Sequence, residues 1–238
     1  DPAQWQAQLS TGAYNAFAVT MKASDGTLEY PFETSVSGRK LSDQAAAVQE
    51  ALPRLLDGER YSIARLSCLR DGGVARENLE SMGLKNTGGY VFYDGNNENW
   101  LDPSKEAVKT YLSDLAVECA DLGFDEILLT DLTYPTMGKL DKIDYGSADG
   151  FTDQAAYQAE QIAGLLQTVQ EALEVTNKAV MEALGGLPPV KVHCSLLAEQ
   201  AVHAALWDYA QKNHITIEGL KPPVNDVDEL EEAHEGEA

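Results

Sequence analysis

The apolar residues of this chain switch between two spacings, and the switches mark out its elements. Val108, Tyr111, Leu112, Leu115, Cys119 and Leu122 fall at helical intervals on one face. Ahead of them Asp102 can cap the helix and Pro103 suits its first position, while Gly123 stands where a left-handed cap would end it. Ile127, Leu128 and Leu129 then form an unbroken apolar run, the pattern of a parallel strand covered on both faces. The run ends in Thr130, Asp131 and Tyr134, the strand end at which α/β folds place their sites.

This helix–strand unit has counterparts on both sides. Strands are predicted over Ala13–Met21, Tyr61–Ser67, Tyr90–Tyr93, Ile127–Leu129, Pro189–Leu197 and Ile215–Glu218, with Thr27–Phe32 as a hairpin arm after the Ser24-Asp25-Gly26 turn. Helices are predicted over Gln44–Leu55 (capped by Ser42 or Asp43), from Gly72 through Met82, over Asp153–Leu184 and over Glu199–Lys212. The polar, glycine-bearing stretch Thr136–Thr152 is longer than most connections and follows a strand, where a barrel builds a site wall. The expectation is a single α/β domain over residues 1–224, which the resemblance described below makes (β/α) barrel-like, and an acidic C-terminal tail over 225–238, with no internal repeat.

Hydrophobic content of 44% and charged content of 24% are ordinary for a globular chain. The net charge of −22 changes the picture more, because it argues against nucleic acid and against anionic membrane surfaces. A neutral sugar or a cationic partner stays open. No stretch approaches the ~20 apolar residues of a membrane span, and the opening residues do not read as a signal peptide. Cys68, Cys119 and Cys194 form no CxxC pair, and His193, His203 and His214 show no ligand spacing. No metal and no cofactor is therefore assigned. His193 and Ser195 share a strand face without a nucleophile-elbow sequence, and the GGV and GGY glycines lack a phosphate-binding pattern.

Three ordered blocks carry a resemblance. The first is NAFAVTMKASDGTLEY, with Asn15, Lys22, Gly26 and Tyr30; the second is YSIARLSCLRD, with Arg65 and Asp71. The third runs from Trp100, Asp102 and Pro103 through Gly123, Phe124, Asp125, Glu126 and Ile127 to Pro135. Over roughly residues 13–135 the chain resembles the glycoside hydrolase-like family of TIM-barrel domains, first catalogued as a domain of unknown function. The resemblance implies a TIM-barrel-like (β/α) fold, short or incomplete because a full barrel takes about 250 residues. It also implies a carbohydrate partner and an extracellular or cell-envelope location. The family's first-strand aspartate falls on Thr20 here, and the aspartate that ends its GFDEI strand falls on Thr130. Asp131 is adjacent, but neighbouring strand residues point to opposite faces.

Within that frame Asp131 and Asp94 are the candidate catalytic carboxylates, since glycoside hydrolysis ordinarily needs two. Lys22, Arg65 and Asp71 are candidates for substrate orientation, with an ion pair from Lys22 or Arg65 to Glu126 or Asp131 as the alternative. Trp100 and Tyr134 are candidate sugar platforms, against the alternative that strand-end aromatics pack. Two functions stay open: a hydrolase-like domain acting on a polysaccharide or oligosaccharide, and a non-catalytic carbohydrate-binding or envelope scaffold domain with degenerate positions Thr20 and Thr130. Oligomeric state is left unassigned.

Overall fold

The computed structural model describes residues 15–56, 60–146 and 153–183, all within the first of the chain's two units, Asp1–Leu184. Three parallel strands form its centre: β1 (Ala16–Lys22), β4 (Tyr61–Ser67) and β6 (Glu126–Thr130). The hairpin arm β2 (Thr27–Leu28) runs antiparallel to β1, and β3 (Lys40–Leu41) adds to β2, giving the sheet order β3-β2-β1-β4-β6. Helix α1 (Ala45–Leu55) leads from β3 to β4, and α2 (Gly72–Glu77) and α3 (Glu106–Asp121) lead from β4 to β6. A small antiparallel pair, β5 (Lys85–Asn86) with β7 (Ile143–Asp144), stands apart from this sheet. Helix α4 (Gln154–Ala183) packs along α3. The protein is thus α/β, with strand–helix–strand units whose parallel strands are sheet neighbours in chain order, as the alternating pattern predicts.

Alternation along the strands divides the sheet into two unlike faces. Val19, Met21, Ala64 and Leu66 enter a core shared with Val108, Tyr111, Leu112, Leu115 and Cys119 of α3 and Leu165 and Val169 of α4. The other face carries Thr20, Arg65 and Leu128, which sit opposite one another across the three strands. Leu128 is 40% exposed and Arg65 is exposed. This corrects two expectations: the Ile127–Leu129 run is not covered on both faces, and Arg65 is not an inward strand-end charge. The reason is register, since Ile127 and Leu129 take the core side and β6 is the outer strand of the described sheet.

Two further expectations change. The third helix begins at Glu106, because the Asp102 carboxylate accepts from the N–H and hydroxyl of Ser104 and closes a turn ahead of it. Tyr90–Tyr93 is not a strand; Val91 makes one bridge to Lys85 while Tyr90 is 74% and Tyr93 48% exposed. The predicted elements after residue 184, the end of the domain at 224 and the tail lie outside the described residues. No helix among the described residues is long and apolar enough to cross a membrane.

Candidate functional site

The site is assembled at the C-terminal ends of β4 and β6, and its centre is Arg70, which sequence reasoning did not single out. After β4 the chain continues through Cys68 and Leu69 to Arg70, which bridges antiparallel to Trp100, and Leu101 N–H donates to Leu69 C=O. The segment Glu98–Leu101 is thereby laid beside Leu69–Arg70, placing Glu98 and Trp100 on the guanidinium. Arg70 Nη2 makes a short charge-assisted hydrogen bond to Glu98, and Arg70 Nη1 lies 3.8 Å from Asp131 Oδ1. The guanidinium carbon sits 5.8 Å from the Trp100 ring centroid. Arg70, Glu98 and Asp131 remain 27%, 38% and 22% exposed, so solvent and ligand can reach them.

Asp131 reaches this cluster by backbone conformation. It has φ 53°, one of two non-glycine residues with positive φ among those described. Leaving the strand in the left-handed region turns its carboxylate to Ser67, whose hydroxyl donates at 2.6 Å. The alternation that separates residues 130 and 131 is thus broken by a left-handed residue. Thr130 is left with its hydroxyl buried and unpartnered.

Beneath lies a buried ion pair. Lys22 is fully buried, its ammonium 3.1 Å from Asp71 Oδ2 and donating to Ser67 C=O at 2.9 Å. A register irregularity between Thr20 and Lys22 accompanies this placement. Asp71 in turn caps α2 by accepting from Val74 N–H at 3.1 Å. Gly26, at φ +82°, passes so close that an added Cβ would stand 2.5 Å from Asp71 Oδ1. The expected ion pair of Lys22 with Glu126 or Asp131 is therefore corrected to Asp71. Burial pushes the Asp71 carboxyl above its usual range, although Lys22 pulls the other way. Burial also pushes the Cys68 thiol up to about 12, with Lys22 opposing and Asp131 adding to it.

Asp94 accepts from Asn96 and Glu98 N–H through one oxygen and from Trp100 Nε1 through the other, at 2.8, 2.9 and 2.9 Å. Burial pulls its carboxyl upward, but these donors and Arg70 outweigh it and hold Asp94 below its usual range. Both oxygens of Asp94 are thus engaged by donors of its own loop. Trp100 is only 7% exposed and lies against Arg70. Tyr134 is 5% exposed and begins an aromatic series with Tyr145 and Tyr157, at centroid separations of 5.6 and 5.8 Å. Neither ring offers an open face. The described residues contain no cluster of His, Cys, Asp and Glu suited to a metal ion.

Known proteins resemble the chain in two distinct ways. Residues 7–183 match the family described as "Putative glycosyl hydrolase domain". A hypothetical protein from Ruminiclostridium thermocellum superimposes with a TM-score of 0.60 at 22% identity, covering 71% of this chain and 84% of that one. The alpha-L-fucosidase isoenzyme 2 of Paenibacillus thiaminolyticus superimposes with a TM-score of 0.50 at 14% identity, covering 74% of this chain and 27% of that one. Both likenesses are of fold. Separately, the chain is 55% identical over 47 residues to the iron–sulfur cluster assembly scaffold protein IscU 1 of Archaeoglobus fulgidus, covering 20% of this chain and 31% of that protein. It is 40% identical over 119 residues to the IscU scaffold protein of Rickettsia prowazekii, covering 47% of this chain and 80% of that protein. The chain spans about a third of the length of the first of these curated relatives.

Proposed function

We propose that this chain, which belongs to the "putative glycosyl hydrolase domain" family and, by a second likeness, to the iron–sulfur cluster assembly scaffold proteins, engages an oligosaccharide or polysaccharide around Arg70. The observation that supports this reading is the delivery of the Asp131 carboxylate, through its left-handed backbone, to the guanidinium that also holds Glu98. Arg70 offers a planar set of donors to sugar hydroxyls, and the two carboxylates offer acceptors beside it. In hydrolysis Asp131 would serve as nucleophile or base and Glu98 as its partner. An extracellular or envelope location suits a polysaccharide substrate and belongs to the same proposal.

Threonines at both family carboxylate positions, Thr20 and Thr130, favour the second reading, a domain that holds carbohydrate without cleaving it. Wild type, Asp131→Asn and Glu98→Gln compared on a glycan panel, with product analysis and calorimetry, separate the two. Hydrolysis lost by about 10²-fold or more in Asp131→Asn supports the enzyme; binding without turnover in every variant supports the scaffold. Neutral glycans that neither bind nor turn over reject a carbohydrate site at Arg70.

The iron–sulfur likeness supports a second function, as a cluster scaffold. Clusters are held by cysteine thiolates, whereas Cys68 and Cys119 are buried and their thiols are pushed up by burial. Cys194 lies outside the described residues. Anaerobic reconstitution with iron, sulfide and an external thiol to complete the coordination that one protein thiolate cannot supply should give charge-transfer absorbance that disappears in Cys194→Ser and persists in Cys68→Ala. Absence of that absorbance in wild type would reject this second function.

A further inference from the structure

A cavity opens on the loops around β5 and β7, and its lining shares no residue with the Arg70, Glu98 and Asp131 cluster. Among the described residues five large hydrophobic side chains are strongly exposed, and three of them, Tyr90, Tyr93 and Met137, belong to these two loops. The loops frame a cavity of about 300 Å³ lined by Asn86, Thr87, Phe92, Tyr93, Lys139 and Lys142. Phe92 is its buried floor, while Tyr93 is 48% exposed at its edge. Backbone hydrogen bonds stitch the two loops together: Thr87 N–H to Lys142 C=O at 2.9 Å and Gly95 N–H to Met137 C=O at 3.1 Å. Asp94 bridges Gly138, and β5 pairs with β7 directly alongside. The cavity is preformed, so ordering it on binding costs little.

Its chemistry runs against that of the chain. In a protein of net charge −22, two exposed lysines stand together at one aromatic-edged cavity. Asp141 lies 3.2 Å from Lys142, and Lys85 on the neighbouring strand is engaged by Glu80. A tyrosine face suits the C–H surface of a sugar ring, and an ammonium pair suits a carboxylate carried on that ring. Asn86 and Thr87 add polar groups for hydroxyls. A neutral sugar would leave both lysines unused, and a simple anion would leave the tyrosine unused.

From this pairing we infer that the cavity binds an acidic saccharide, a chain of uronic acid units whose ring rests on Tyr93 and whose carboxylates face Lys139 and Lys142. The inference rests on the reading of the chain as carbohydrate-engaging, and it adds a site and a charge preference to that reading. Calorimetric titration of the full chain with pentagalacturonate and with cellopentaose tests it. Wild type should bind pentagalacturonate, more weakly at 0.5 M than at 0.05 M NaCl because exposed charges are screened. Lys139→Gln/Lys142→Gln and Tyr93→Ala should each weaken that binding by about fivefold or more, with circular dichroism unchanged. Asp131→Asn should leave it unaltered, which separates this site from Arg70: failure of the Arg70 reading shows in cellopentaose and turnover, failure here shows in pentagalacturonate alone. No binding of pentagalacturonate, or equal binding by the double lysine variant, overturns the inference.

Discussion

Replacing Lys22 by methionine isolates the energetics of the buried pair beneath the site. The two side chains are 0% and 2% exposed and 3.1 Å apart, so screening by water is negligible. Removing one member of such a pair leaves an uncompensated buried charge and costs about 3–5 kcal/mol, whereas replacing both is often near neutral. Lys22→Met also strips Ser67 C=O of its donor. The expected loss at pH 7 is therefore about 3–5 kcal/mol. Lys22→Met/Asp71→Asn should recover half of it or more, because asparagine keeps an oxygen for Val74 N–H at the start of α2. Urea denaturation followed by Trp100 fluorescence, in a Trp5→Phe/Trp207→Phe background, reads the described unit alone. A loss below about 1 kcal/mol, or a double variant worse than the single, would refute the reasoning.

The same substitution has a pH signature. Asp71 is held above its usual range in the folded protein, so the folded state binds its proton more readily than the unfolded chain does. A carboxyl raised on folding contributes stability that is fully present below its unfolded value of about 4 and is lost as pH rises through the folded value. Without Lys22 that folded value moves higher still. The loss in Lys22→Met should therefore be largest near neutral pH and shrink toward about pH 4. A loss independent of pH would assign the damage to packing.

Three other outcomes are expected. Leu66→Ala, at a residue 1% exposed, should cost about 2–5 kcal/mol, and Leu128→Ala, at one 40% exposed, less than about 1 kcal/mol, both by the same denaturation. Gly26→Ala should cost more than about 1 kcal/mol, since φ is +82° and the new methyl meets the Asp71 carboxylate at 2.5 Å. In a Cys194→Ser background, Ellman's reagent at pH 8 should label Cys68 and Cys119 at least about 100-fold more slowly in native protein than in urea, because burial raises both thiols.

Local patterning carried the fold and long-range placement carried the site. The α3 stripe from Val108 to Cys119 was legible because helical periodicity is a property of the segment itself, and those residues are buried. So were β1, β4 and β6. The exposure of Leu128 was not, because an apolar run does not say which strands lie beside it or what covers each face. Arg70 and Glu98 were missed for a similar reason: neither sits in a recognisable spacing, and only the Arg70–Trp100 bridge brings them together. The Leu-Arg-Asp sequence after β4 held the one available signal, a basic residue at a strand end. The match to residues 7–183 extends past the quoted blocks at both ends, and the iron–sulfur likeness left no cysteine spacing to read.

Asp131 shows how far one backbone angle can alter a functional reading. Strand geometry alone sends residues 130 and 131 to opposite faces, which would leave the carboxylate one position out of place. A single left-handed residue removes that restriction, and aspartate is among the few non-glycine residues that tolerate it. The Ser67 hydroxyl and the Arg70 guanidinium then compensate the local cost by binding the carboxylate on both oxygens. Asn at this position keeps the conformational tolerance and the oxygen but loses the charge, whereas a β-branched residue loses all three. Asp131→Asn should therefore fold with a stability within about 1 kcal/mol of wild type, and Asp131→Val should fall about 1–3 kcal/mol lower. Equal stability of the two variants would mean that Ser67 and Arg70 do not hold the turn, and that its left-handed form is set by the chain on either side.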